Sequence, residues 1–225
     1  MNGKLTLQHV TKSYQQQGVI TDVFDNVSFD FVQGHCYAIM GASGSGKSTC
    51  IHLLAGVDAP TSGQVLFSAQ PVSLFSTEQT TTFFQKNISL VFQQAALFAE
   101  LTVLENVMLK AILAETLTTA SYDHAHFLLG QIGLADKAQA YPAMLSGGQQ
   151  QRVAILRAIF IVPQFLLVDE PTGNLDEQTG ELVIDLLLKY QKEYGMGLIM
   201  STHNHQIAQR MEFVLRVENK KLIIA

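Results

Sequence analysis

Apolar and polar positions in the first third of the chain form short apolar runs separated by glycine-containing turns, a pattern typical of β-strands. Apolar runs of strand length cover residues 5–10, 27–31 and 36–40. The third run leads directly into a turn rich in glycine and serine, and a helix is predicted to follow over residues 47–55. The chain is therefore expected to begin as a β-rich segment that passes into a strand, turn and helix unit.

The rest of the chain is first helical and then alternates helices with strands. Apolar residues recur at helical spacing across residues 101–140. Because helices that alternate with continuously apolar strands cover both faces of a parallel sheet, we expect an α/β fold with a mostly parallel sheet. Beyond residue 140 the pattern predicts helices over 149–161 and 180–190, strands over 165–168 and 197–201, and a terminal hairpin from 215–217 and 221–224.

Composition and charge narrow the class of protein. The chain has 225 residues, of which 48% are apolar and 15% charged, and 14 Lys and Arg against 19 Asp and Glu give a net charge of −5. This composition favours a folded chain with a sizeable core over a disordered one. The acidic balance, without a basic stripe, argues against a nucleic-acid partner.

The sequence predicts neither a membrane span nor a signal peptide. The most apolar candidate, residues 153–168, contains Arg157 and Pro163, whereas a transmembrane helix needs about 20 nearly uncharged apolar residues. We therefore expect a protein of the cytoplasm. Cys36 and Cys50 match no metal-binding spacing, and they are predicted to be inert core thiols.

The turn after residue 40 matches the phosphate-binding pattern G-x-x-x-x-G-K-[ST] between a predicted strand and a predicted helix. Its glycines let successive backbone N–H groups point inward, and the positive end of the helix faces the same hollow. Lys47 would reach the β- and γ-phosphates of a nucleoside triphosphate, and Ser48 would ligate Mg²⁺. A glycine- and serine-rich turn without a ligand is the alternative. We predict nucleotide binding by a continuous segment comprising Gly41, Ala42, Ser43, Gly44, Ser45, Gly46, Lys47, Ser48 and Thr49.

Two carboxylates follow the predicted strand at residues 165–168. Asp169 would hold Mg²⁺ directly or through water, as an acidic residue does at the end of a strand beside a phosphate loop. Glu170 is then the candidate general base for the attacking water. The alternative is an acidic pair that faces solvent.

A second predicted helix start has the features of an anion site. A serine hydroxyl, exposed backbone N–H groups at two glycines and the positive end of the helix converge there. An ordinary serine cap would explain Ser146 alone but not the whole motif, so the chain is expected to carry two phosphate sites. The motif consists of Leu145, Ser146, Gly147, Gly148 and Gln149.

Together these motifs resemble the ATP-binding cassette (ABC) family, and the resemblance covers essentially the whole chain. It implies ATP and Mg²⁺ as cofactors and one ABC ATPase domain. In that domain, residues 1–94 and 141–225 form a P-loop core with an N-terminal antiparallel β subdomain, and residues 95–140, with the helix from residue 145, form an inserted α-helical subdomain. It also implies an ATP-dependent homodimer in which the motif at 145–149 of one chain closes over the γ-phosphate held by the other.

The resemblance assigns roles to further residues. Gln93 matches the Q-loop glutamine, which senses Mg²⁺ or the attacking water and moves with the helical insert. Asp176 matches the D-loop, which lies across the dimer axis and links the two sites. His203 matches the switch histidine, which contacts the γ-phosphate and orients Glu170.

Two more positions relate to these motifs. Tyr14 matches the A-loop aromatic that stacks on adenine, although a surface tyrosine at a strand end is the alternative. Asn204 stands where the family usually has Asp after the switch histidine, a departure that leaves the role of His203 intact.

The resemblance further implies an integral membrane permease subunit as partner, with this chain peripheral on the cytoplasmic face of the inner membrane. The motifs at residues 41–49 and 170–176 are most similar to those of the lipoprotein-releasing, macrolide-export and cell-division group. We expect lipoprotein release or export of a hydrophobic cargo, and the alternative is a regulatory ATPase that transmits conformational change without transport.

Apolar residues after Gln93 either form a groove for a helix of the partner or fill the core of the insert; they are Leu97, Phe98, Leu101, Val103, Leu104 and Val107.

Overall fold

An antiparallel sheet contains the first strands of the chain. The computed structural model describes residues 3–16 and 18–225. Strand β1 lies between β2 and β4, and β5 pairs with the outer side of β4. The bounds are Lys4–Gln16 for β1, Val19–Val32 for β2, Ser62–Phe67 for β4 and Gln70–Pro71 for β5.

A second, six-stranded sheet forms the centre of the fold, in the order β10-β9-β3-β8-β7-β6. Its strands are parallel except for β10, which forms an antiparallel hairpin with β9. The carboxyl ends of parallel strands share one edge of a sheet, which is where open α/β sheets bind ligands. The strands are β3 (Cys36–Met40), β6 (Ile88–Val91), β7 (Phe165–Asp169), β8 (Gly197–Ser201), β9 (Phe213–Glu218) and β10 (Lys221–Ile224).

Helices cover this second sheet and extend beyond it. Helix α5 packs against α3, α4 and α6, and α1 contacts β7 and β8. The helices are α1 (Lys47–Leu54), α2 (Thr77–Thr82), α3 (Val103–Leu113), α4 (Thr119–Gln131), α5 (Gly147–Ile159), α6 (Glu177–Tyr194) and α7 (His205–Ala208). Short turns of other helix types cover Val72–Leu74, Phe83–Asn87, Ala135–Lys137 and Pro142–Met144.

Alternate side chains of the central strands enter two separate hydrophobic cores. On β3, Ala38 and Met40 join the core under α3 to α6, whereas Tyr37 and Ile39 join the core shared with α1 and the antiparallel sheet. The central strands are therefore buried on both faces, which explains why they appear as continuous apolar runs in the sequence.

The predicted elements agree with the structure in type, with differences at their ends. The helical region predicted over residues 101–140 is two helices, because the chain turns after α3 at Glu115, whose φ is 53°, and α4 starts from a Thr118 cap. The helix predicted over 180–190 extends over Glu177–Tyr194. No element was predicted over residues 62–87, which form β4, β5 and α2.

The two cysteines are free and buried. Burial raises the pKa of Cys36 to about 11 and that of Cys50 to about 12. The predicted core position of both thiols is confirmed, and a raised pKa disfavours the thiolate, which is the reactive form of cysteine. Among residues 3–16 and 18–225, no helix combines the length and the apolar character that crossing a membrane requires.

Candidate active site

The glycine-rich turn connects β3 to α1 and requires glycine at its last position before the helix. Gly46 caps α1 with φ 108°, a backbone conformation that side chains with a Cβ rarely adopt. A Cβ at Gly46 would also lie 2.3 Å from Cγ1 of Val23. The loop therefore packs against β2, and this contact fixes where α1 begins.

Lys47 is buried inside this loop. Its Nζ donates hydrogen bonds of 3.1 Å to the carbonyl oxygens of both Gly41 and Ala42. The same ammonium lies 3.3 Å from Oε1 of Glu170, at the end of β7. The ammonium of Lys47 thus contacts both the loop and Glu170, and its hydrogen bonds to the loop backbone hold it in place.

Asp169 is buried and receives two hydroxyl hydrogen bonds on one oxygen. Its Oδ1 accepts from Ser48 Oγ at 3.0 Å and from Ser201 Oγ at 2.5 Å. Ser201 lies directly opposite Asp169 in the parallel pairing of β7 and β8. Asp169 and Ser48 together form a pair of adjacent oxygen donors of the kind that Mg²⁺ accepts.

Glu170 follows in a strained backbone conformation. Its φ is 42°, which is costly for a residue with a side chain and is typical of functional sites. Its backbone N–H donates to Ser201 Oγ at 2.9 Å, and its Oε2 lies 3.2 Å from Nδ1 of His203. The carboxylate is therefore held between Lys47 on one side and His203 on the other.

Ser201 was not predicted as a site residue from the sequence, although it lies two positions before the predicted site residue His203. Its hydroxyl donates to Asp169 and accepts from the backbone of Glu170, so one fully buried serine orients both acidic residues. The register of β7 and β8 would have identified it, because Ser201 ends the strand next to the acidic one.

Gln93 lies close to the acidic strand end. Its Nε2 is within 2.7 Å of where a Cβ on Gly173 would be, so only glycine allows this approach. The backbone around Gln93 is hydrogen-bonded to α5 on both sides. Gln151 donates to the carbonyl oxygen of Phe92 at 3.1 Å, and Arg157 donates to the carbonyl oxygens of the two residues at 95 and 96 at 2.9 and 2.8 Å.

The strand that leads to Gln93 is tied to α3 by a partly buried lysine. Nζ of Lys110 donates to the carbonyl oxygen of Ile88 at 2.9 Å and to Ser89 Oγ at 2.5 Å. Burial, with a smaller contribution from the charge of Arg157, lowers the pKa of Lys110 to about 8. The edge strand β6 is thus anchored to the helical part of the chain.

The phosphate loop, Gln93 and Glu170 line one cavity of about 520 Å³, whereas Asp169 and His203 are not among the described residues of its wall. Its wall combines the phosphate-loop segment with Glu170, Gln93 and the ring of Tyr14. A cavity with a cationic loop at one end and an aromatic ring in its wall can hold a polyphosphate together with a base. The lining residues are Tyr14, Thr21, Val23, Ser43, Gly44, Gly46, Lys47, Ser48, Thr49, Gln93 and Glu170.

The motif at residues 145–149 is formed as predicted but lies away from this cavity. Ser146 caps α5, its hydroxyl accepts from the backbone N–H of Gln149, and the side chain of Gln149 accepts from the backbone N–H of Ser146. Gly148 is buried against Thr179 of α6, where a Cβ would lie 2.2 Å from the threonine Cγ2. Within one chain, the exposed helix start does not contribute to the cavity wall.

Asp176 and Asn204 both cap helices, beside a second cavity of about 350 Å³ that also includes His203. Asp176 accepts from the backbone N–H of Thr179 at 2.9 Å, and hydrogen bonds from Thr179 hold the pKa of this carboxyl below its usual value. Asn204 accepts from the backbone N–H groups at the start of α7, so an amide oxygen provides the cap that the expected Asp would provide.

The apolar residues after Gln93 were expected either to form a groove for a helix of a partner or to fill the core of the helical insert. Val103, Leu104 and Val107 are buried in the core under the helices, so for these three residues the core alternative is confirmed. Phe98 is 52% exposed. Its loop is held by the buried Asn106, whose side chain bonds to the backbone of Phe98 and to the carbonyl oxygens of two later residues.

Sequence comparison connects this arrangement to known proteins. The family model for ABC transporters matches residues 24–173. A lipoprotein-releasing system ATP-binding protein, LolD, of Myxococcus xanthus is 40% identical over 213 residues, which cover 95% of each chain. An uncharacterized ABC transporter ATP-binding protein of Mycobacterium tuberculosis is 38% identical over 219 residues, which cover 97% of this chain and 88% of the relative.

Solved structures show the same fold. The dimeric ATP-binding cassette MJ0796, in a post-hydrolysis state bound to ADP and phosphate, is 34% identical with a TM-score of 0.87, covering 97% of this chain and 96% of that chain. CbiO1 of Clostridium perfringens, part of an ABC transporter complex, is 27% identical with a TM-score of 0.82, covering 97% and 86%. The expected fold, an antiparallel β subdomain with a mostly parallel sheet and helices, is confirmed. The chain belongs to the ABC transporter family, and it is an ATPase of that family.

Proposed function

We propose that the cavity beside the phosphate loop binds ATP. The observation that carries this proposal is the joint wall of the cavity, in which the loop, Glu170, Gln93 and Tyr14 face one volume. The backbone N–H groups of residues 41–49 and the ammonium of Lys47 bind the phosphates. Tyr14 stacks on the base. Because Glu170 is within 3.3 Å of the Lys47 ammonium, it lies at the phosphate end and accepts the proton of the attacking water.

Mg²⁺ is held by Ser48, Asp169 and Gln93 in the same proposal. The donor set fits the ion, because two hydroxyl or carboxylate oxygens 3.0 Å apart and one amide leave room for the phosphate and water oxygens that Mg²⁺ prefers. The bound ion would neutralise charge that develops on the phosphates during hydrolysis. His203 keeps the carboxylate of Glu170 directed at the cavity.

Replacing Ser201 by Ala is expected to lower kcat for ATP hydrolysis about 10- to 100-fold, the usual cost of removing a group that orients a metal-binding carboxylate. The same variant is expected to need more Mg²⁺ for half-maximal activity. Steady-state ATPase assays over a range of Mg²⁺ concentrations measure both effects. Tyr190→Phe removes another buried hydroxyl, on α6, and is expected to keep the Mg²⁺ dependence of the wild type. An unchanged Mg²⁺ dependence in Ser201→Ala would contradict the role of Ser201.

We further propose that two copies of the chain pair around two ATP molecules. Support comes from the helix start at Ser146, which has anion-binding features but lies outside the cavity of its own chain. In a dimer, the motif at 145–149 of one chain would reach the γ-phosphate bound by the other, and Asp176 would lie near the dimer axis. The relative MJ0796 was solved as a dimer. In this proposal the chain is one ABC domain with a core over residues 1–94 and 141–225 and a helical part over 95–140 and the helix after 145.

The dimer is proposed to drive an integral membrane permease from the cytoplasmic face of the membrane. The exposed ring of Phe98 supports a contact with such a partner, because it lies five residues after Gln93 on a loop that Asn106 holds rigidly. A role in lipoprotein release is favoured, since the lipoprotein-releasing system ATP-binding protein LolD of Myxococcus xanthus is 40% identical over 95% of this chain.

Reconstitution tests the cargo directly. The chain is captured with its membrane partner from solubilised membranes of the source organism and placed in proteoliposomes that carry an acylated lipoprotein. ATP-dependent transfer of the lipoprotein to a soluble carrier is expected for the wild type. Phe98→Asp is expected to recover less of the membrane partner, whereas Ile224→Asp, which changes a still more exposed apolar residue on β10, is not. ATP hydrolysis without any lipoprotein transfer would contradict the proposed cargo.

A further inference from the structure

A buried cation lies against the ring of Tyr14. Nζ of Lys12 is 4.6 Å from the centre of the Tyr14 ring, a distance typical of a cation–π contact. Lys12 and Tyr14 are two residues apart on β1. Lys12 is a buried charged residue, and such residues are rare unless their charge is paired.

Asp58 pairs with both side chains at once. Its Oδ1 accepts from Lys12 Nζ at 2.6 Å, and its Oδ2 accepts from the Tyr14 hydroxyl at 2.7 Å. Lys12 donates a second hydrogen bond of 2.8 Å to the carbonyl oxygen of Ala59. The Tyr14 hydroxyl also lies 3.4 Å from Oγ1 of Thr49 on α1. The tyrosine is therefore fixed at its hydroxyl by Asp58 and at one ring face by Lys12.

The two faces of the ring have different surroundings. Tyr14 lines the cavity beside the phosphate loop, and it is 41% exposed. Nζ of Lys12 lies over one face of the ring, and Lys12 is not among the described residues that line the cavity. One face is thus occupied by a cation, so a base that stacks on this ring would use the opposite face.

We propose that Lys12 and Asp58 are positioning residues for nucleotide binding, which hold the ring of Tyr14 so that its free face receives the adenine base. This inference rests on the proposed ATP site. It assigns a task to a buried lysine and to an aspartate outside the phosphate loop. A ring that is already held in place loses less conformational freedom when the base binds, and this preorganisation increases affinity.

The protonation states agree with this arrangement. Burial raises the pKa of Tyr14, with a further contribution from Asp58, so the phenol keeps its proton and donates it. Burial also opposes ionisation of Asp58, but hydrogen bonds from Lys12 and Tyr14 outweigh it and leave the pKa of Asp58 below its usual value. At neutral pH the group is a carboxylate between an ammonium and a phenol.

The test compares ATP with inorganic tripolyphosphate, which has the phosphates but no base. Dissociation constants of both Mg²⁺ complexes are measured on the full chain by competition with a fluorescent nucleotide. Lys12→Met, which keeps most of the side-chain volume, is expected to raise the dissociation constant for ATP about 5- to 20-fold, a part of what base stacking contributes. Its affinity for tripolyphosphate and its kcat at saturating ATP are expected to stay near the wild-type values, so KM rises alone.

Two further variants complete the test. Lys4→Met is the matched control, because Lys4 lies on the same strand and pairs with an exposed carboxylate at 2.6 Å, remote from Tyr14; it is expected to bind both ligands normally. Asp58→Asn is also expected to weaken the binding of ATP but not of tripolyphosphate. This variant replaces Lys12→Met in the test if Lys12→Met fails to fold. Unchanged ATP affinity in these variants, or equal loss of ATP and tripolyphosphate, would overturn the inference. A wild-type chain that binds neither ligand would instead contradict the ATP site itself.

Discussion

Replacing Glu170 by Gln is expected to lower ATP turnover about 10²- to 10⁴-fold while ATP still binds, because an amide of the same size cannot accept the proton of the attacking water. The carboxylate lies 3.3 Å from the Lys47 ammonium and 3.2 Å from Nδ1 of His203. Its strained φ of 42° persists only because the surroundings hold the residue in place. An amide fills the same space, so the cavity keeps its shape.

The same variant is expected to accumulate as a dimer. If ATP joins two chains and hydrolysis separates them, a chain that binds ATP without hydrolysing it stays paired. Gel filtration with ATP and Mg²⁺ measures the dimer, and a phosphate-release assay measures turnover. Glu193→Gln is the matched control, because Glu193 is an exposed carboxylate near the C-terminal end of α6, and it is expected to behave like the wild type. A Glu170→Gln chain that remains monomeric and fully active would contradict both the general base and the ATP-dependent dimer.

Motifs that are continuous in sequence could be predicted because their spacing already carries the chemistry. The phosphate loop needs a strand before it and a helix after it, and β3 and α1 provide them. Asp169 and Glu170 follow a buried strand in the same way. The central sheet could also be predicted, since strands buried on both faces appear as uninterrupted apolar runs.

Contacts between distant parts of the chain could not be predicted in this way. Ser201 donates to Asp169, which lies 32 residues away in the sequence, and Lys12 donates to Asp58, which lies 46 residues away. No sequence motif defines either spacing. These contacts depend on strand register and on how the antiparallel sheet packs against α1. Predicting α6 too short was a different kind of error, because the residues at both ends of this helix are recognisable in sequence. Asp176 caps its start, and Gly195 follows its last residue in the left-handed conformation.

Helix α5 connects two parts of the proposed mechanism that are far apart in sequence. Its first turn presents Ser146 and the two glycines, and its later residues Gln151 and Arg157 hold the backbone on both sides of Gln93. A change in the position of α5 therefore shifts both the anion-binding helix start and Gln93. In the proposed dimer, this linkage would be a physical route by which closure on one nucleotide is sensed at the water-binding side of the other.

An equimolar mixture of Lys47→Ala and Gly147→Asp chains is expected to recover about a quarter of the wild-type ATPase rate, although each variant alone is nearly inactive. In a symmetric head-to-tail dimer, half of the dimers are mixed, and each mixed dimer has one site in which both the phosphate loop and the Ser146 motif are intact. Lys47→Ala removes the ammonium at the phosphates, a loss of about 10²- to 10³-fold in rate. Gly147→Asp places a carboxylate where the γ-phosphate must approach.

The fold is expected to tolerate Gly147→Asp, so its effect reports on the dimer. In the part of the chain that the structure describes, no atom outside the adjoining residues and the backbone of α5 lies within 4 Å of a Cβ at Gly147. An acidic residue in the first turn of α5 interacts favourably with the helix dipole. Gly130→Asp adds the same charge at another helical glycine with open space around it, and it is expected to retain full activity. Phosphate release from the mixture, with gel filtration to confirm pairing, measures the recovery. Full activity of the Gly147→Asp chain by itself would contradict a nucleotide site shared between two chains. A mixture of paired chains that stays inactive would contradict it as well, because a shared site is rebuilt when two differently damaged copies pair.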